Sequence, residues 1–360
     1  MITIHLVMPT GGSRGGVENV IKAWTRRLDP VRFDLRIFHI SPGQNDYLDG
    51  YEKQYTLPLP DDGLETLTVQ YCAQAYHFFL EQMGAPDICI ATWIPMVSQA
   101  CVIARNAKGM KFPVVSWIHG ELATFRRDGW GDVPDMLGAD AHFCISGEIE
   151  RAIRERSPQA KTFFIGNPVM PVSISAWEPE DKHLCFVSRI VPGKNPDIIL
   201  RAMNLAADRG WTLTVAGDGL QKEEAQTLAS ELGIAQRVHF AGWTDRPWEV
   251  CKRAHALVIA SDHEGFCVST LEASSIGMTV ISTPVSGCTD YIVPGKNGYF
   301  FAHGDALGLA DILDAISAGK LGWCDPDVCR ESVVPYLSDN YFRHLTEILQ
   351  QLVSEGKRIM

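Results

Sequence analysis

The chain has 360 residues, enough for two domains that each bury a core. Its 43 Asp and Glu residues outnumber 32 Lys and Arg residues, and the net charge of -11 argues against general binding to nucleic acid or an anionic membrane. Ten cysteines show no zinc-type pairing, and without a signal peptide or an apolar run of about 18 residues we expect a soluble protein in the reducing cytoplasm.

Strands and helices alternate in the first half of the chain. The predicted strands cover residues 2–8, 33–40, 88–91, 114–118, 141–145 and 162–165. The predicted helices begin near Val17, cover residues 64–83, and run from an N-cap at Ser146 to about Arg156. The loop between the first strand and the first helix is rich in glycine, which lets a backbone approach a ligand closely.

Residues 166–181 are rich in Pro, Ser and acidic residues and lack a sustained period, which predicts a linker. The alternation then restarts, with Asn195 predicted to cap a helix that has Pro196 at its first position. The predicted strands cover 184–188, 212–216, 238–241, 256–260 and 279–282, and the helices 197–208, 221–232, 305–316 and 339–354.

This alternation is typical of an α/β protein with two doubly wound, Rossmann-like domains. We predict an N-terminal domain over residues 1–170 and a second over 171–337, with an amphipathic C-terminal helix, 338–360, that packs back on the first. Ligands of such sheets gather at the carboxyl ends of the strands, where His119 and Gly120 follow one predicted strand.

Residues 256–273 predict a buried strand, a turn and a helix whose N-terminus attracts phosphates. Arg189 and Lys194 follow another strand at a spacing that lets both grip one diphosphate, although alone they would be ordinary solvated charges. Neither a nicotinamide nor a P-loop motif is intact, and Asp262 and Glu264 lack the paired aspartates that hold Mg²⁺. We therefore predict no metal.

These motifs resemble those of the retaining glycosyltransferases of family 4, which have the two-domain GT-B fold with a cleft between Rossmann-like domains. Glu264 to Glu272 is similar to the family's E-x7-E signature, and Arg189 to Lys194 to its R-x4-K clamp. The resemblance extends to Gly15-Gly16-Val17-Glu18, His119-Gly120 and Asn297-Gly298. Gly242-Trp243 and Pro247-Trp248-Glu249 further resemble bacterial lipopolysaccharide galactosyltransferases.

The resemblance implies roles for these residues. Glu272 would accept hydrogen bonds from the ribose, and Glu264 would face the donor sugar. Arg189, Lys194 and the turn Gly265, Phe266, Cys267 and Val268 would hold the phosphates and sugar. From the first domain, Gly15 and Gly16 would approach the diphosphate and His119 would lie beside the anomeric carbon; the alternative is that His119 merely ends a strand. Catalysis would fall to His119, Glu264, Arg189 and Lys194.

The implied reaction transfers a hexose, with retention, from a nucleotide diphosphate sugar, most simply a UDP-sugar, to a glycan or lipid-linked acceptor in lipopolysaccharide, capsule or another cell-surface glycan. No cofactor beyond the donor and no nucleic acid is expected. Lys22, Arg26 and Arg27 form either a solvated helix face or a peripheral contact at the inner face of the membrane.

Three departures from the family pattern bear on donor-sugar identity: Cys267 in place of glycine, Ser269 in place of proline, and the stretch 286–290. Two other functions remain open. One is a nucleotide-sugar epimerase of the same architecture, and the other is a non-catalytic partner that binds a nucleotide sugar.

Overall fold

The structure, a computed structural model, describes residues 1–10, 15–41, 48, 50–57 and 67–359, without the side chains of 358 and 359. It divides into two compact units. Unit 1 comprises Met1–Pro168 and Asp339–Met360, and unit 2 comprises Val169–Ser338.

Within its described residues, unit 1 holds a seven-stranded parallel sheet of order β3-β2-β1-β4-β5-β6-β7. The strands are β1 (Ile2–Thr10), β2 (Phe33–Ser41), β3 (Gln54–Thr56), β4 (Ile88–Trp93), β5 (Val114–Ile118), β6 (Ala141–Cys144) and β7 (Thr162–Phe164). The helices are α1 (Gly16–Arg27), α2 (Val69–Met83), α3 (Pro95–Ala107), α4 (Leu122–Arg127), α5 (Val133–Met136) and α6 (Gly147–Arg156), with the C-terminal α14 (Ser338–Ile359).

Unit 2 repeats this arrangement with a six-stranded parallel sheet, among the residues described, of order β10-β9-β8-β11-β12-β13. The strands are β8 (His183–Val187), β9 (Thr212–Ala216), β10 (Val238–Gly242), β11 (Ala256–Ile259), β12 (Thr279–Ser282) and β13 (Gly298–Phe300). The helices are α7 (Pro196–Leu205), α8 (Lys222–Glu231), α9 (Pro247–Val250), α10 (Val268–Ser275), α11 (Cys288–Tyr291), α12 (Ala306–Ser317) and α13 (Pro326–Ser332).

The central strands are buried because helices cover the sheets. Strand β11 is apolar and buried throughout, which is typical of a parallel strand covered on both faces. The core of unit 2 is built on Phe186, Leu200, Trp211, Val258 and Leu309. Burying a side chain of this size contributes about 1.5–3 kcal/mol, so these contacts fix the sheet that presents the loops. The predicted fold class, two doubly wound parallel sheets, is confirmed.

Several local predictions need correction. The second helix begins at Val69 and not at 64, because the Thr68 hydroxyl accepts a hydrogen bond from the Tyr71 N–H and caps it; residues 64–66 lie outside the described residues. Strands β3 and β13 and helices α3, α4, α5, α9, α11 and α13 were not predicted, since most are short. Ser146 caps α6 as predicted, through the Ile149 N–H.

The predicted linker lies largely in unit 2. The Val169 N–H donates to the Tyr336 carbonyl at 2.8 Å, and Ser175 donates from its N–H and hydroxyl to Glu249. Helix α14 packs in unit 1, where the Trp24 indole N–H donates to the Tyr341 hydroxyl at 3.2 Å. Among the described residues, no helix combines the length and apolar character needed to cross a membrane.

Candidate functional site

Two loops of unit 2 follow neighbouring strands where the strand order reverses. The loop from Arg189 to Lys194 follows β8, and the loop from Ser261 to Glu264 follows β11, which pairs with β8. In doubly wound sheets this switch point is the position at which ligands bind. The sheet therefore brings the predicted cation pair and the first predicted carboxylate to one edge.

Lys194 and Glu264 form an ion pair at this edge. The Lys194 Nζ donates to the Glu264 Oε1 at 2.5 Å, and the Ser261 hydroxyl donates to the same oxygen at 2.8 Å. The two charged side chains are only 17% and 14% exposed, so solvent screens their attraction less than at an open surface. The pair fixes both groups before any ligand arrives.

Arg189 differs from Lys194 because it is exposed and its guanidinium has no hydrogen-bond or ion-pair partner among the described residues. Its loop is supported by the loop after β9. The Ile190 N–H donates to the Asp218 carbonyl at 2.8 Å, and a Cβ on Gly219 would lie 2.3 Å from the Ile190 oxygen. Gly219 is therefore needed for the close approach of the two loops, a role that the sequence analysis missed.

Asn195 occupies the N-cap position of α7, but its side chain does not cap the helix, which corrects the prediction. The residue adopts left-handed dihedral angles, φ 49° and ψ 52°. Its Nδ2 donates to the Ala260 carbonyl at 3.1 Å and to the Asp262 Oδ1 at 2.8 Å. Asn195 thus links the end of the loop from Arg189 to Lys194 to the end of β11, because its side-chain amide donates to two oxygens there.

The turn that opens α10 presents unpaired backbone donors. The Cys267 and Val268 N–H groups have no hydrogen-bond partner among the described residues, as expected at a helix N-terminus. Phe266 lies against Gly287, whose φ is +85°, and a Cβ there would lie 2.8 Å from the Phe266 ring. The Cys267 thiol is buried, and a hydrogen bond with Cys288 together with burial raises its pKa, so the thiol is uncharged.

Glu272 lies farther along α10 and is held differently from Glu264. The Trp248 indole N–H donates to the Glu272 Oε2 at 2.9 Å. Burial raises the pKa of Glu272 to about 7, although the hydrogen bond from Trp248 opposes this shift. The family resemblance includes Trp248 but implies no role for it. The available signal was an indole in a short helix 24 positions before a signature carboxylate.

The remaining predicted residues lie in unit 1. Gly15 is the N-cap of α1 and Gly16 its first residue, while residues 11–14 of the glycine loop lie outside the described residues. His119 follows β5, and its ring lies edge-on to Trp117 with centroids 4.2 Å apart. Its Nε2 is buried with no hydrogen-bond partner among the described residues, and burial lowers its pKa to about 3.

Trp93, at the carboxyl end of β4, is a further residue that the sequence analysis missed. Its φ of 84° is unusual for a bulky side chain, and its carbonyl accepts a hydrogen bond from the His119 N–H at 3.3 Å. Strained dihedral angles of this kind cluster at functional sites. No sequence pattern identifies such a position, because tertiary contacts impose the angle.

The predicted residues therefore fall into two groups. Arg189, Lys194, Glu264, the turn 265–268 and Glu272 belong to unit 2, and Gly15, Gly16 and His119 belong to unit 1. In the part of the chain that the structure describes, no three His, Cys, Asp or Glu side chains are grouped as a metal ion requires. Metal independence stays a prediction.

Comparisons with known proteins give relatives over most of the chain. The family model described as glycosyl transferases group 1 matches residues 173–320. The lipopolysaccharide 1,6-galactosyltransferase of Escherichia coli (strain K12) is 30% identical over 286 residues, which are 76% of this chain and 77% of that relative. The enzyme of the same description from Salmonella typhimurium is 28% identical over 94% of this chain and 95% of its own length.

Solved structures show the same fold. The lipopolysaccharide outer core galactosyltransferase WaaB, in its apo form, superposes with a TM-score of 0.84 at 23% identity and covers 97% of this chain and 99% of its own. Anabaena Alr3699/HepE, solved with UDP and glucose, superposes with a TM-score of 0.73 at 17% identity over 97% of this chain and 100% of its own. Both comparisons support a GT-B fold.

Proposed function

Since this chain belongs to the glycosyltransferase family of the lipopolysaccharide 1,6-galactosyltransferases, we propose that it transfers a hexose from a UDP-sugar to an acceptor hydroxyl, with retention of anomeric configuration. The galactosyltransferase relatives support a hexose and a lipopolysaccharide or other cell-surface glycan as the acceptor. HepE, which was solved with UDP-glucose, supports UDP as the carrier. We propose a family 4 enzyme on these grounds.

The observation that carries the proposal is the set of donors at the switch point of unit 2. The Arg189 guanidinium is exposed, the Lys194 ammonium lies 2.5 Å from Glu264, and the amides of Cys267 and Val268 are unpaired. A diphosphate needs cations and N–H donors of this kind. When the sugar–phosphate bond breaks, charge builds on the leaving diphosphate, and donors already in place stabilise it without reorganisation.

Donor binding would also change the ion pair. A diphosphate offers Lys194 a second anion, and the sugar hydroxyls offer Glu264 new hydrogen-bond donors in place of the ammonium. The Ser261 hydroxyl would keep Glu264 oriented during this exchange, because it donates to the same carboxylate oxygen. Arg189 and Lys194 would supply the positive charge for which many transferases use a metal ion, so we propose that the reaction needs none.

His119 would act as a neutral hydrogen-bonding group on the sugar. Its pKa of about 3 keeps the ring uncharged at neutral pH, and its Nε2 has no partner among the described residues. The acceptor proton would pass to the leaving phosphate, because His119 at this pKa is too weak a base to hold it. Gly15 and Gly16, at the start of α1, would let the backbone approach the diphosphate of the donor closely.

We further propose that the acceptor is carried on a lipid and that unit 1 contacts the membrane peripherally. The support is the basic face of α1, which carries Lys22, Arg26 and Arg27, with Arg27 paired to Asp339. Vesicle sedimentation with anionic and neutral lipids would test this, with the triple Ala variant as the control. Equal binding of both proteins to anionic vesicles would exclude a role for this face.

A screen of UDP-, GDP- and ADP-hexoses tests the main proposal. We expect slow hydrolysis of a UDP-hexose without acceptor, faster transfer when truncated lipopolysaccharide is added, and equal rates with and without EDTA. Conversion of the donor to its epimer without acceptor would identify an epimerase. Binding of the donor with neither hydrolysis nor transfer would identify a non-catalytic partner.

A further inference from the structure

Trp248 is the only described residue that hydrogen-bonds the Glu272 side chain. Its indole N–H reaches the Oε2 at 2.9 Å, and the indole is 3% exposed. The Glu272 Oε1 has no partner among the described residues. Among the described residues, the protein therefore fixes one carboxylate oxygen and not the other.

Helix α9, which carries Trp248, is anchored on its other side. The next residue, Glu249, accepts hydrogen bonds from the Ser175 N–H and hydroxyl, both at 2.8 Å, and from the Lys252 Nζ at 2.9 Å. A four-residue helix has little stability of its own. These contacts hold it in place, so the direction of the indole N–H is set by the fold and not by Glu272 alone.

We propose that Trp248 is a positioning residue of the donor site: by holding one oxygen of Glu272, its indole N–H orients the other toward the ribose hydroxyls of the nucleotide. This role rests on the proposed function, because it requires a ribonucleotide donor. A carboxylate held at one oxygen loses less conformational freedom on binding than a free one, which improves affinity. Trp248 need not touch the nucleotide to act in this way.

The charge state of Glu272 supports this role. Burial raises its pKa and the Trp248 N–H lowers it, and no charged side chain of the described residues contributes. Arg330, on α13, is directed away to the Ile276 carbonyl and to Asp327. Removing the N–H would raise the pKa further, so a larger fraction of the carboxyl would be protonated at neutral pH and unable to accept two hydrogen bonds.

The test is Trp248→Phe, with Trp211→Phe as the matched control. Trp211 is a buried tryptophan of the same unit whose indole N–H has no partner among the described residues, so its replacement loses no hydrogen bond. Binding of UDP, GDP and ADP and of their 2′-deoxy forms is measured by calorimetry. We expect the wild type and Trp211→Phe to prefer the ribonucleotide, and Trp248→Phe to lose about tenfold in affinity and most of that preference.

The pH profile adds a readout that a purely structural role would not move. The pH at which ribonucleotide affinity is half-maximal should lie near 7 in the wild type and higher in Trp248→Phe. In transfer assays the donor KM should rise while kcat changes little, because the bond acts on binding. An unchanged pH midpoint with an unchanged deoxynucleotide ratio overturns the proposal.

A second measurement does not depend on the folding of Trp248→Phe. The chain has nine tryptophans, and one indole N–H resonance should move with pH near 7 in the wild type and not in Glu272→Gln. No such resonance in the wild type overturns the proposal. A wild type that binds none of the three nucleotides overturns the proposed function itself, and Trp248 then has no donor to serve.

Discussion

Burial strongly lowers the pKa of several histidines in unit 1 and raises that of one carboxyl in unit 2. In unit 1, burial lowers the pKa of His5 and His119 to about 3 and of His39 and His142 to about 4. In unit 2, burial raises the pKa of Glu272 to about 7. At neutral pH these four histidines of unit 1 are therefore uncharged, and Glu272 of unit 2 is close to half-protonated.

These charge states determine what each unit can contribute to the proposed reaction. His119 is held by packing on Trp117 and offers a neutral ring, so it suits hydrogen bonding to a sugar. The polar groups of unit 2 are held by one another, Lys194 by Glu264 and Glu272 by Trp248. Substitutions that change charge should therefore act mainly through unit 2, and acidification mainly through unit 1.

Acidification gives the largest expected effect. Each of these histidines has a pKa of 6.5 in the unfolded chain and of about 3–4 in the folded one. Above pH 6.5 the histidine is neutral in both states and does not change the free energy of unfolding. Below pH 6.5 only the unfolded state takes up the proton, which favours unfolding by up to about 2 kcal/mol per histidine at pH 5. Four such residues should destabilise unit 1 by several kcal/mol between pH 7 and 5. Hydrogen exchange at the two pH values should show β1, β2, β5 and β6 losing protection most.

Unit 2 should respond less over the same range. Burial also lowers the pKa of His183 and His255, but Glu272 acts in the opposite direction. The paired carboxyls of Asp208 and Glu249, with pKa values of about 2, matter only below about pH 4. Earlier loss of protection in β8 and β11 than in β1 and β5 would contradict a greater acid sensitivity of unit 1.

Lys194→Ala tests the contribution of the charged groups of unit 2. The substitution removes a cation of the proposed diphosphate grip and leaves Glu264 without its ion pair. We expect donor turnover to fall by about 10²–10³-fold with the protein still folded, since removing one preorganised donor at such a site costs this much. Initial rates with the donor identified in the screen, and a thermal melt, are the measurements.

Arg253→Ala is the control for Lys194→Ala. Arg253 pairs with Glu180 near the amino end of β11, and both side chains are exposed, so the pair contributes little. Its rate should match that of the wild type. If Lys194→Ala also retains near-normal turnover, the site assignment in unit 2 is wrong.

His119→Phe tests the contribution of the neutral histidine ring of unit 1. The ring still packs on Trp117, but the Nε2 and Nδ1 are lost. We expect kcat to fall by about 10–100-fold with nucleotide affinity unchanged, because one transition-state hydrogen bond is removed. The half-buried His77, which lies on α2 and pairs with Glu81, is replaced by Gln as the control. A wild-type rate that falls with a midpoint near pH 6.5 and loses this midpoint in His119→Phe would contradict a neutral ring.

Much of this arrangement could be predicted from the sequence. Period and β-α alternation identified both sheets, because buried parallel strands are continuous apolar runs that stand out between amphipathic helices. The signature spacings pointed to Arg189, Lys194, Glu264 and Glu272, whose roles stay predictions. Strand order then follows from the fold class, and it is this order that brings the β8 and β11 loops together.

The contacts between these residues could not be predicted. Asn195 was expected to cap α7, but two oxygens from the end of β11 compete for its amide. The ion pair of Lys194 with Glu264 spans 70 positions, and the Trp248 bond spans 24. Local rules describe neighbours along the chain, and these partners are neighbours only after the sheet has formed.

Glu272→Gln should give the smallest effect, a change in the free energy of unfolding. Glu272 destabilises the folded protein as pH rises, whereas the histidines of unit 1 destabilise it as pH falls. With a folded pKa of about 7 above its value of 4.5 in the unfolded chain, Glu272 contributes stability below pH 4.5 that is lost as pH rises through 7. The Gln variant carries no such penalty, so relative to the wild type it should be more stable at pH 8 by roughly 1–3 kcal/mol, and by less at pH 5.

Chemical denaturation of the two proteins at both pH values measures this difference. Glu249→Gln provides the contrast, since ion pairing with Lys252 lowers the pKa of Glu249 and its loss should destabilise the protein at pH 8. Equal stabilities of the wild type and Glu272→Gln at pH 8 would show that the ionised Glu272 carboxylate does not destabilise the folded protein. If the variant gains stability and loses ribonucleotide preference, the chain keeps a destabilising carboxyl because the donor site needs it.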